Sequence, residues 1–152
     1  MFKHNSFLLL AVVVSLGCVA CSGSGDLSPK KTVIAFFGAM EKNDQAALTY
    51  LLDLPELMRN LNEDYALQTD NPRVFSNPQQ ILEDLTDDGV TKRTWFSHQR
   101  IISKTKITGE ETAFVEVTFV DKEKSTGYMT RFGLHKINGK WKIYSFKTEQ
   151  GR

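Results

Sequence analysis

The sequence predicts an α+β fold, with helices in the first half of the chain and an antiparallel sheet of about four strands in the second half. Apolar residues recur at helical spacing up to about Gly89, and they alternate with period two from Val90 onward. Asn138-Gly139 stands between two runs rich in β-branched and aromatic residues, which is the strongest short-range signal for a β-hairpin. Helices that precede such strands are expected to cover one face of the sheet.

Residues 1–20 have the features of an export signal. Lys3 and His4 form a short basic start, and residues 7–16 form an apolar run that only Ser15 interrupts. This run is too short to cross a hydrocarbon core, which requires about 20 helical residues. We therefore expect the segment to direct export and not to remain as a membrane helix.

Two cysteines, Cys18 and Cys21, follow the apolar run, and the chain contains no others. Their spacing would also suit a zinc or redox site, but no His and no second Cys pair lies nearby in the sequence. The segment resembles a bacterial lipoprotein signal, in which a Cys behind a small residue is lipidated and becomes the mature N-terminus. Cys21 is the predicted anchor because a polar tether begins directly after it, and Cys18 is the alternative.

The resemblance to a lipoprotein signal also predicts where the protein resides. Ser22 behind the anchor favours the outer membrane, facing the periplasm, and residues 21–27 would form the lipidated Cys and its tether. Residues 28–152 are then expected to form one domain. The remaining alternative is a cleaved secretory signal that releases a soluble protein.

Capping residues and prolines mark the predicted helices of the first half. Helix boundaries are expected at four motifs: Ser28-Pro29, Asn43-Asp44, Leu54-Pro55 and Asn77-Pro78. In the first helix, Val33, Phe36, Phe37 and Met40 follow at i, i+3, i+4 and i+7, which predicts one buried face. Residues 62–76 are polar and predict the end of a helix followed by a loop.

Four strands are predicted, at about residues 94–108, 112–121, 128–137 and 140–148, with a bend or bulge in the first because it is too long to be straight. A two-residue turn places Leu134 opposite Ile143 and Phe132 opposite Ser145. On this register Tyr144 and Phe146 lie on the face of the sheet away from these core residues. Because lysines alternate with them, Tyr144 and Phe146 are the candidate interface residues.

The stretch SPKKTVIAFFGAMEKNDQAAL and the hairpin INGKWKIYSF resemble the nuclear transport factor 2-like superfamily, the cone-shaped fold of ketosteroid isomerases and SnoaL-like proteins. The resemblance covers residues 27 to about 146 and rests on signatures of the fold, not of an activity. It implies a strongly curved antiparallel sheet that wraps around the helices and leaves a pocket. It also implies these pocket-facing residues: Phe37, Met40, Tyr50, Leu51, Trp95, Phe132 and Trp141. The alternative is that these side chains simply fill the core.

No residue is predicted to be catalytic. An isomerase-like mechanism needs a carboxylate base in an apolar pocket, but Glu116 alternates with Val115 and Val117 and is therefore expected to face solvent. His98 and His135 lie in predicted strands beside Lys or Arg, without further ligands at metal-binding spacing. The sequence accordingly predicts neither a cofactor nor a metal site.

Charge is divided unevenly along the predicted mature chain. Residues 22–88 contain 5 basic and 12 acidic side chains, a net charge of −7, whereas residues 89–152 contain 13 basic and 6 acidic side chains, a net charge of +7. Either an acidic helical layer packs beside a basic sheet, or a basic sheet face binds anionic lipid, glycan or an acidic partner. An exported protein is not expected to bind nucleic acid.

Together these features predict a membrane-anchored envelope lipoprotein that acts as a non-catalytic binding or interaction module. Besides the lipid bilayer, its partner would be a small apolar molecule in the cone, another envelope protein, or a second copy of the chain on the outer sheet face. The alternative is a small pocket enzyme, isomerase-like or dehydratase-like, in the same cone.

The anchor leads to a first prediction. Mass spectrometry of the mature protein is expected to show an N-terminal Cys21 that carries acyl chains, because several chains hold a protein stably at a bilayer whereas one binds only marginally. Globomycin, which blocks lipoprotein signal cleavage, is expected to cause accumulation of the uncleaved form. An N-terminus without acyl mass would remove the anchor.

Overall fold

The structure, a computed structural model, describes residues 26–66 and 74–150. Within these ranges the α+β prediction is confirmed, because five helices pack on a four-stranded antiparallel sheet. The predicted signal of residues 1–20, the predicted anchor Cys21 and its alternative Cys18 lie outside the described residues, as does part of the predicted loop at residues 62–76.

The helices precede the strands along the chain, and the strands are connected in sequence order β1-β2-β3-β4. The helices are α1 (Pro29–Glu41), α2 (Gln45–Leu51), α3 (Leu54–Ala66), α4 (Pro78–Asp84) and α5 (Val90–Phe96). The strands are β1 (Gln99–Ile107), β2 (Thr112–Asp121), β3 (Thr126–Ile137) and β4 (Lys140–Gln150). We call the sheet face that packs against the helices the inner face, and the opposite one the outer face.

The predicted helix starts are confirmed where a side chain caps the first turn. The side chains of three residues accept hydrogen bonds from backbone N–H groups three residues ahead: Ser28 from Lys31, Asp44 from Ala47, and Asn77 from Gln80. Prolines follow two of these caps, at the first helical position, where a missing N–H costs nothing. The local sequence therefore determines where these helices begin.

The predicted start of the first strand, at about residue 94, is wrong. Residues 90–96 form α5 instead, and β1 begins at Gln99. Asp84 accepts a hydrogen bond from the backbone N–H of Thr91 at 3.3 Å, which satisfies a donor in the first turn of α5. A helix of seven residues with one buried side chain, Trp95, is too short to show a helical period in the sequence. The expected irregularity within the strand is present, as a bulge at Ser103.

The tight turn at Asn138-Gly139 is confirmed, since both residues have positive φ, 50° and 77° respectively. The pairing of Leu134 with Ile143 is also confirmed, but Phe132 lies opposite Phe146 and not opposite Ser145. The reason is a β-bulge in which Tyr144 is the extra residue of β4. A bulge of one residue reverses which side chains face the core beyond it.

The bulge corrects one of the two predicted interface residues. Phe146 lies on the inner face with only 8% of its surface exposed, so it belongs to the core and cannot form an outer-face interface. Tyr144 remains on the outer face and is half-buried, with its ring over Gly133 and beside His135. Gly133 leaves the space that the Tyr144 ring occupies.

The connection between α2 and α3 covers the edge of β4. Leu52 forms a parallel bridge with Ile143, and the N–H of Asp53 donates to the Ile143 carbonyl at 2.9 Å. The Asn60 side chain donates to the Tyr144 carbonyl at 3.1 Å. These bonds satisfy backbone groups that an edge strand would otherwise leave unpaired.

Alanine substitutions at two glycines are expected to change the free energy of unfolding in opposite directions. A Cβ on Gly133 would meet the Ser145 hydroxyl and lie 3.0 Å from Tyr144 Cζ, so Gly133→Ala should destabilise the fold by about 1–3 kcal/mol. A Cβ on Gly38, in α1, would meet no atom within 4 Å, so Gly38→Ala should stabilise it by about 0.5–1 kcal/mol. Urea unfolding measures both. A neutral Gly133→Ala variant would contradict the placement of the Tyr144 ring.

Candidate functional site

An aromatic cluster occupies the space between α1, α5 and the inner face of the sheet. Its members are Phe36, Phe37, Trp95, Phe119, Phe132 and Phe146, and their contacting rings have centroids 5.2–6.2 Å apart. Phe36, Phe119 and Phe132 are completely buried. The space between these helices and the inner face is therefore occupied by side chains that pack against one another.

The structure brings together six of the residues that the resemblance implied for a pocket. All six belong to, or pack against, the same hydrophobic core: Phe37, Met40, Leu51, Trp95, Phe132 and Trp141. Their packing is that of a core. Their assignment to a ligand pocket stays a prediction.

Tyr50, by contrast, lies away from this core, and Trp141 packs against it outside the aromatic cluster. Tyr50 is 53% exposed, because Leu48 and Leu51 set the buried side of α2 and Tyr50 points away from it. Trp141 is half-buried at the turn end of the hairpin, where Lys136 Nζ lies 5.2 Å from its ring centroid. That these two side chains face a pocket stays a prediction.

An open cleft of about 810 Å³ lies between the end of α5 and the turn after β2. Residues 96–100, between α5 and β1, line one side, and residues 121–123, in the turn after β2, line the other. The Arg100 guanidinium lies 3.9 Å from the Phe96 ring centroid and donates to the Trp95 carbonyl at 3.2 Å. Arg100 therefore closes the aromatic cluster toward the cleft and leaves a polar lining.

Two ionisable groups of the cleft, His98 and Asp121, have structural partners. His98 Nδ1 lies 2.8 Å from the Thr94 carbonyl, an acceptor, so this nitrogen carries the proton and Nε2 is the basic one. The pKa of Asp121 is lowered mainly because its carboxylate accepts a hydrogen bond from the backbone N–H of Lys124. Asp121 thus stays ionised and stabilises the turn, which does not suit a general acid.

Tyr128 lies at the inner end of this region. Its ring stacks on Phe119 with centroids 5.0 Å apart and meets the His98 ring at 5.4 Å. The hydroxyl is buried without a hydrogen-bond partner, and burial raises the pKa of Tyr128 to about 12. A buried hydroxyl without a partner costs stability because water no longer solvates it.

On the outer face, charged residues hold the apolar side chains in place. Arg131 Nη2 donates to Glu116 Oε1 at 3.0 Å, and its guanidinium lies 4.9 Å from the Phe114 ring centroid. Glu116 faces outward as predicted, but it is only 9% exposed, so the pairing is what makes its burial tolerable. Arg131 was not among the predicted site residues, because only the register between β2 and β3 places it opposite Glu116.

A second group on the outer face joins the sheet to the helices. His135 Nε2 lies 2.9 Å from Asp53 Oδ2, and the His135 ring lies 4.8 Å from that of Tyr144. Asp53 also accepts from the N–H of Glu56 through its other oxygen, so it caps the first turn of α3. His135 and Asp53 are 82 residues apart, and no local pattern indicates their contact.

Metal-ligating clusters and membrane-spanning helices are both absent from the part of the chain that the structure describes. No three or more His, Cys, Asp or Glu side chains are grouped there so as to hold a metal ion. Between residues 26 and 66 and between 74 and 150, no helix has the length and apolarity needed to span a bilayer.

Comparisons with known proteins concern the fold. No protein-family model matches the chain, and no curated protein matches it. Two similar solved structures are a candidate dehydratase of the NTF2-like family from Streptomyces avermitilis and an NTF-2-like protein of unknown function from Shewanella oneidensis MR-1. The first is 18% identical, with 80% of this chain and 91% of that chain covered and a TM-score of 0.48. The second is 12% identical, with coverages of 78% and 93% and a TM-score of 0.47.

Both structures are NTF2-like, the superfamily that the sequence resembles. Similarity of this degree identifies neither an activity nor a ligand.

Tyr128 gives a prediction for pH dependence. The pKa of Tyr128 is about 12 in the folded protein and near 10 in the unfolded chain. The neutral phenol therefore contributes its full share to the free energy of unfolding below pH 10, and this contribution is lost as the pH rises to 12. Tyr128→Phe should lack this loss, and at pH 7 it should be neutral or more stable by about 1 kcal/mol. Urea unfolding between pH 7 and 12 measures both effects.

Tyr144→Phe is the matched control, because its ring lies on the outer face. If Tyr128→Phe loses as much stability above pH 10 as the unaltered protein does, ionisation of Tyr128 is not the cause of that loss.

Proposed function

We propose that the protein is a membrane-tethered, non-catalytic interaction module of the bacterial envelope, whose outer sheet face binds an acidic protein partner. The observation that carries this proposal is the aromatic cluster, which occupies the space where a ligand of the cone would bind. The resulting module has a lipid anchor at one end and a rigid, partly apolar sheet face for binding.

The anchor in this proposal is Cys21. Several acyl chains on one residue would hold the domain at a bilayer, for which the outer membrane, facing the periplasm, is the proposed location. Cys21 precedes the first described residue, Asp26, by five positions, so the domain would stay close to the bilayer surface. Replacing Cys21 is expected to release the domain from membranes, whereas Cys18→Ala should not.

The filled interior argues against a catalytic role. Phe36 and Phe132 meet with ring centroids 5.8 Å apart, and neither is exposed. A small enzyme of this fold would require an open pocket with a desolvated base. Among the described residues, the enzyme alternative finds support in the cleft beside His98 and in a second cleft of about 460 Å³ lined in part by Asp84, which is only 8% exposed.

Instead, the outer face has the composition of a protein interface. Phe114, Met129 and Tyr144 are half-buried there, and aromatic residues, Met and Arg are enriched at such interfaces. Arg131 stacks on Phe114 and pairs with Glu116, so these side chains are already ordered before a partner binds. Ordering in advance lowers the entropic cost of association.

Charge selects the class of partner. Basic side chains on three strands surround the apolar residues of the outer face: Lys104, Lys106, Arg131 and Lys147. Two copies of such a face would repel each other, whereas an acidic protein surface would be attracted to it. We therefore favour an acidic envelope protein over a second copy of the chain.

The test is the variant Lys106→Glu/Lys147→Glu. The register places position 106 opposite Phe114 and position 147 opposite Arg131, so neither glutamate meets a like charge across the sheet. Crosslinking and capture from membranes should recover the partner roughly tenfold less, because electrostatic attraction governs the association rate. Tyr144→Ala should also reduce capture.

The matched control is Lys42→Glu/Lys122→Glu, which changes the net charge equally at exposed positions off the outer face. Its capture should equal that of the unaltered protein. A partner that all three proteins recover equally well would refute the outer face as the binding surface. A concentration-dependent dimer that Lys106→Glu/Lys147→Glu abolishes would point to a second copy instead.

A further inference from the structure

Aromatic and basic side chains surround the turn end of the β3–β4 hairpin. Lys140 Nζ lies 4.9 Å from the ring centroid of Tyr50, and Lys136 Nζ lies 5.2 Å from that of Trp141. Lys142 donates to the Tyr50 carbonyl at 2.9 Å and so holds α2 against the hairpin. We call Tyr50, Lys136, Lys140 and Trp141 the hairpin-end patch.

The hairpin-end patch lies beside the point where the described chain begins. The pKa of Lys140 is raised, first by the side chain of Tyr50 and also by the Asp26 carboxylate, so Asp26 and Lys140 are close enough for their charges to interact. Asp26 follows Cys21 by five residues, and five residues span at most about 18 Å when fully extended. A bilayer that holds Cys21 would therefore lie within reach of this patch.

We propose that the hairpin-end patch binds the anionic phospholipid surface of the membrane to which the protein is tethered, and thereby orients the domain. This inference rests on the lipid anchor of the proposed function. It is independent of the outer face and its partner.

The chemistry of the patch fits a headgroup layer. Trp and Tyr rings prefer the interface between hydrocarbon and water, where their apolar bodies and polar tips are both accommodated. Each lysine near an anionic surface strengthens binding by a factor of about five. Acidic residues also lie at this end of the sheet: Glu110 and Glu111 are in the neighbouring β1–β2 turn, where the Glu111 carbonyl accepts from the backbone N–H of Lys136 at 2.9 Å, and Asp26 lies near Lys140.

Tryptophan fluorescence provides the test, with the acylated protein reconstituted in vesicles of phosphatidylcholine alone or with added phosphatidylglycerol. Trp95 is only 6% exposed, so quenching by aqueous acrylamide reports mainly on the half-buried Trp141. Quenching should fall when phosphatidylglycerol is present. High salt should restore it, because the screening length falls from about 10 Å at 0.1 M to about 3 Å at 1 M.

Two charge-neutralising variants identify the residues. Lys136→Gln/Lys140→Gln should lower the equilibrium constant for binding of the patch to the anionic surface about 25-fold. Phosphatidylglycerol should then no longer reduce the quenching of Trp141. Lys122→Gln/Lys124→Gln loses the same charge in the β2–β3 turn, at the opposite end of the sheet, and should retain the effect.

Equal quenching in the two kinds of vesicle would overturn the inference, and it is also the result expected if the patch binds a glycan or an acidic protein. Flotation of the protein with phosphatidylcholine vesicles reports the acyl anchor separately. A protein that floats but shows equal quenching refutes only the patch, whereas one that does not float refutes the anchor as well.

Discussion

The packing of Phe36 holds the two layers of this structure together. Its ring meets Trp95 of α5, Phe132 of β3 and Phe146 of β4, so one side chain of α1 contacts another helix and two strands. Aromatic pairs of this kind contribute about 0.5–1.5 kcal/mol each beyond the area they bury. Phe36 thus fixes α1 on the sheet and fills the space between the two layers.

Local signals in the sequence predict most of the fold, but they do not predict which side chains of β4 face the core beyond Ile143. Strict alternation would put Trp141 and Ile143 on one face of β4, and Tyr144 and Phe146 on the other. Because both faces would then be apolar, the sequence pattern gives no sign of a bulge. The Tyr144 bulge resolves this conflict by turning Phe146 inward while Tyr144 stays outside. Caps and turns were predictable because each depends on residues within four positions of one another.

The functional surfaces were less predictable because they depend on distant residues. The outward direction of Glu116 follows from alternation in one strand, but its bond to Arg131 requires the register between two strands. Tyr50 and Lys140 are 90 residues apart in the sequence, and only the packing of α2 beside β4 brings them together. Charge counts indicated that the second half of the chain is basic without indicating which surfaces carry the charge.

The two proposed surfaces do not compete for the same residues or for the same space. On the outer face, Lys147 follows Lys140 by seven residues along β4, which corresponds to about 20 Å along a strand. Because charges are screened over about 8 Å at physiological ionic strength, a lipid surface at the hairpin end would scarcely attract Lys147. In the proposed arrangement the strands lead away from the bilayer, so the membrane orients the domain through one end of the sheet while the outer face stays free for a protein. Separate sites of this kind allow the anchor to present the binding face without occupying it.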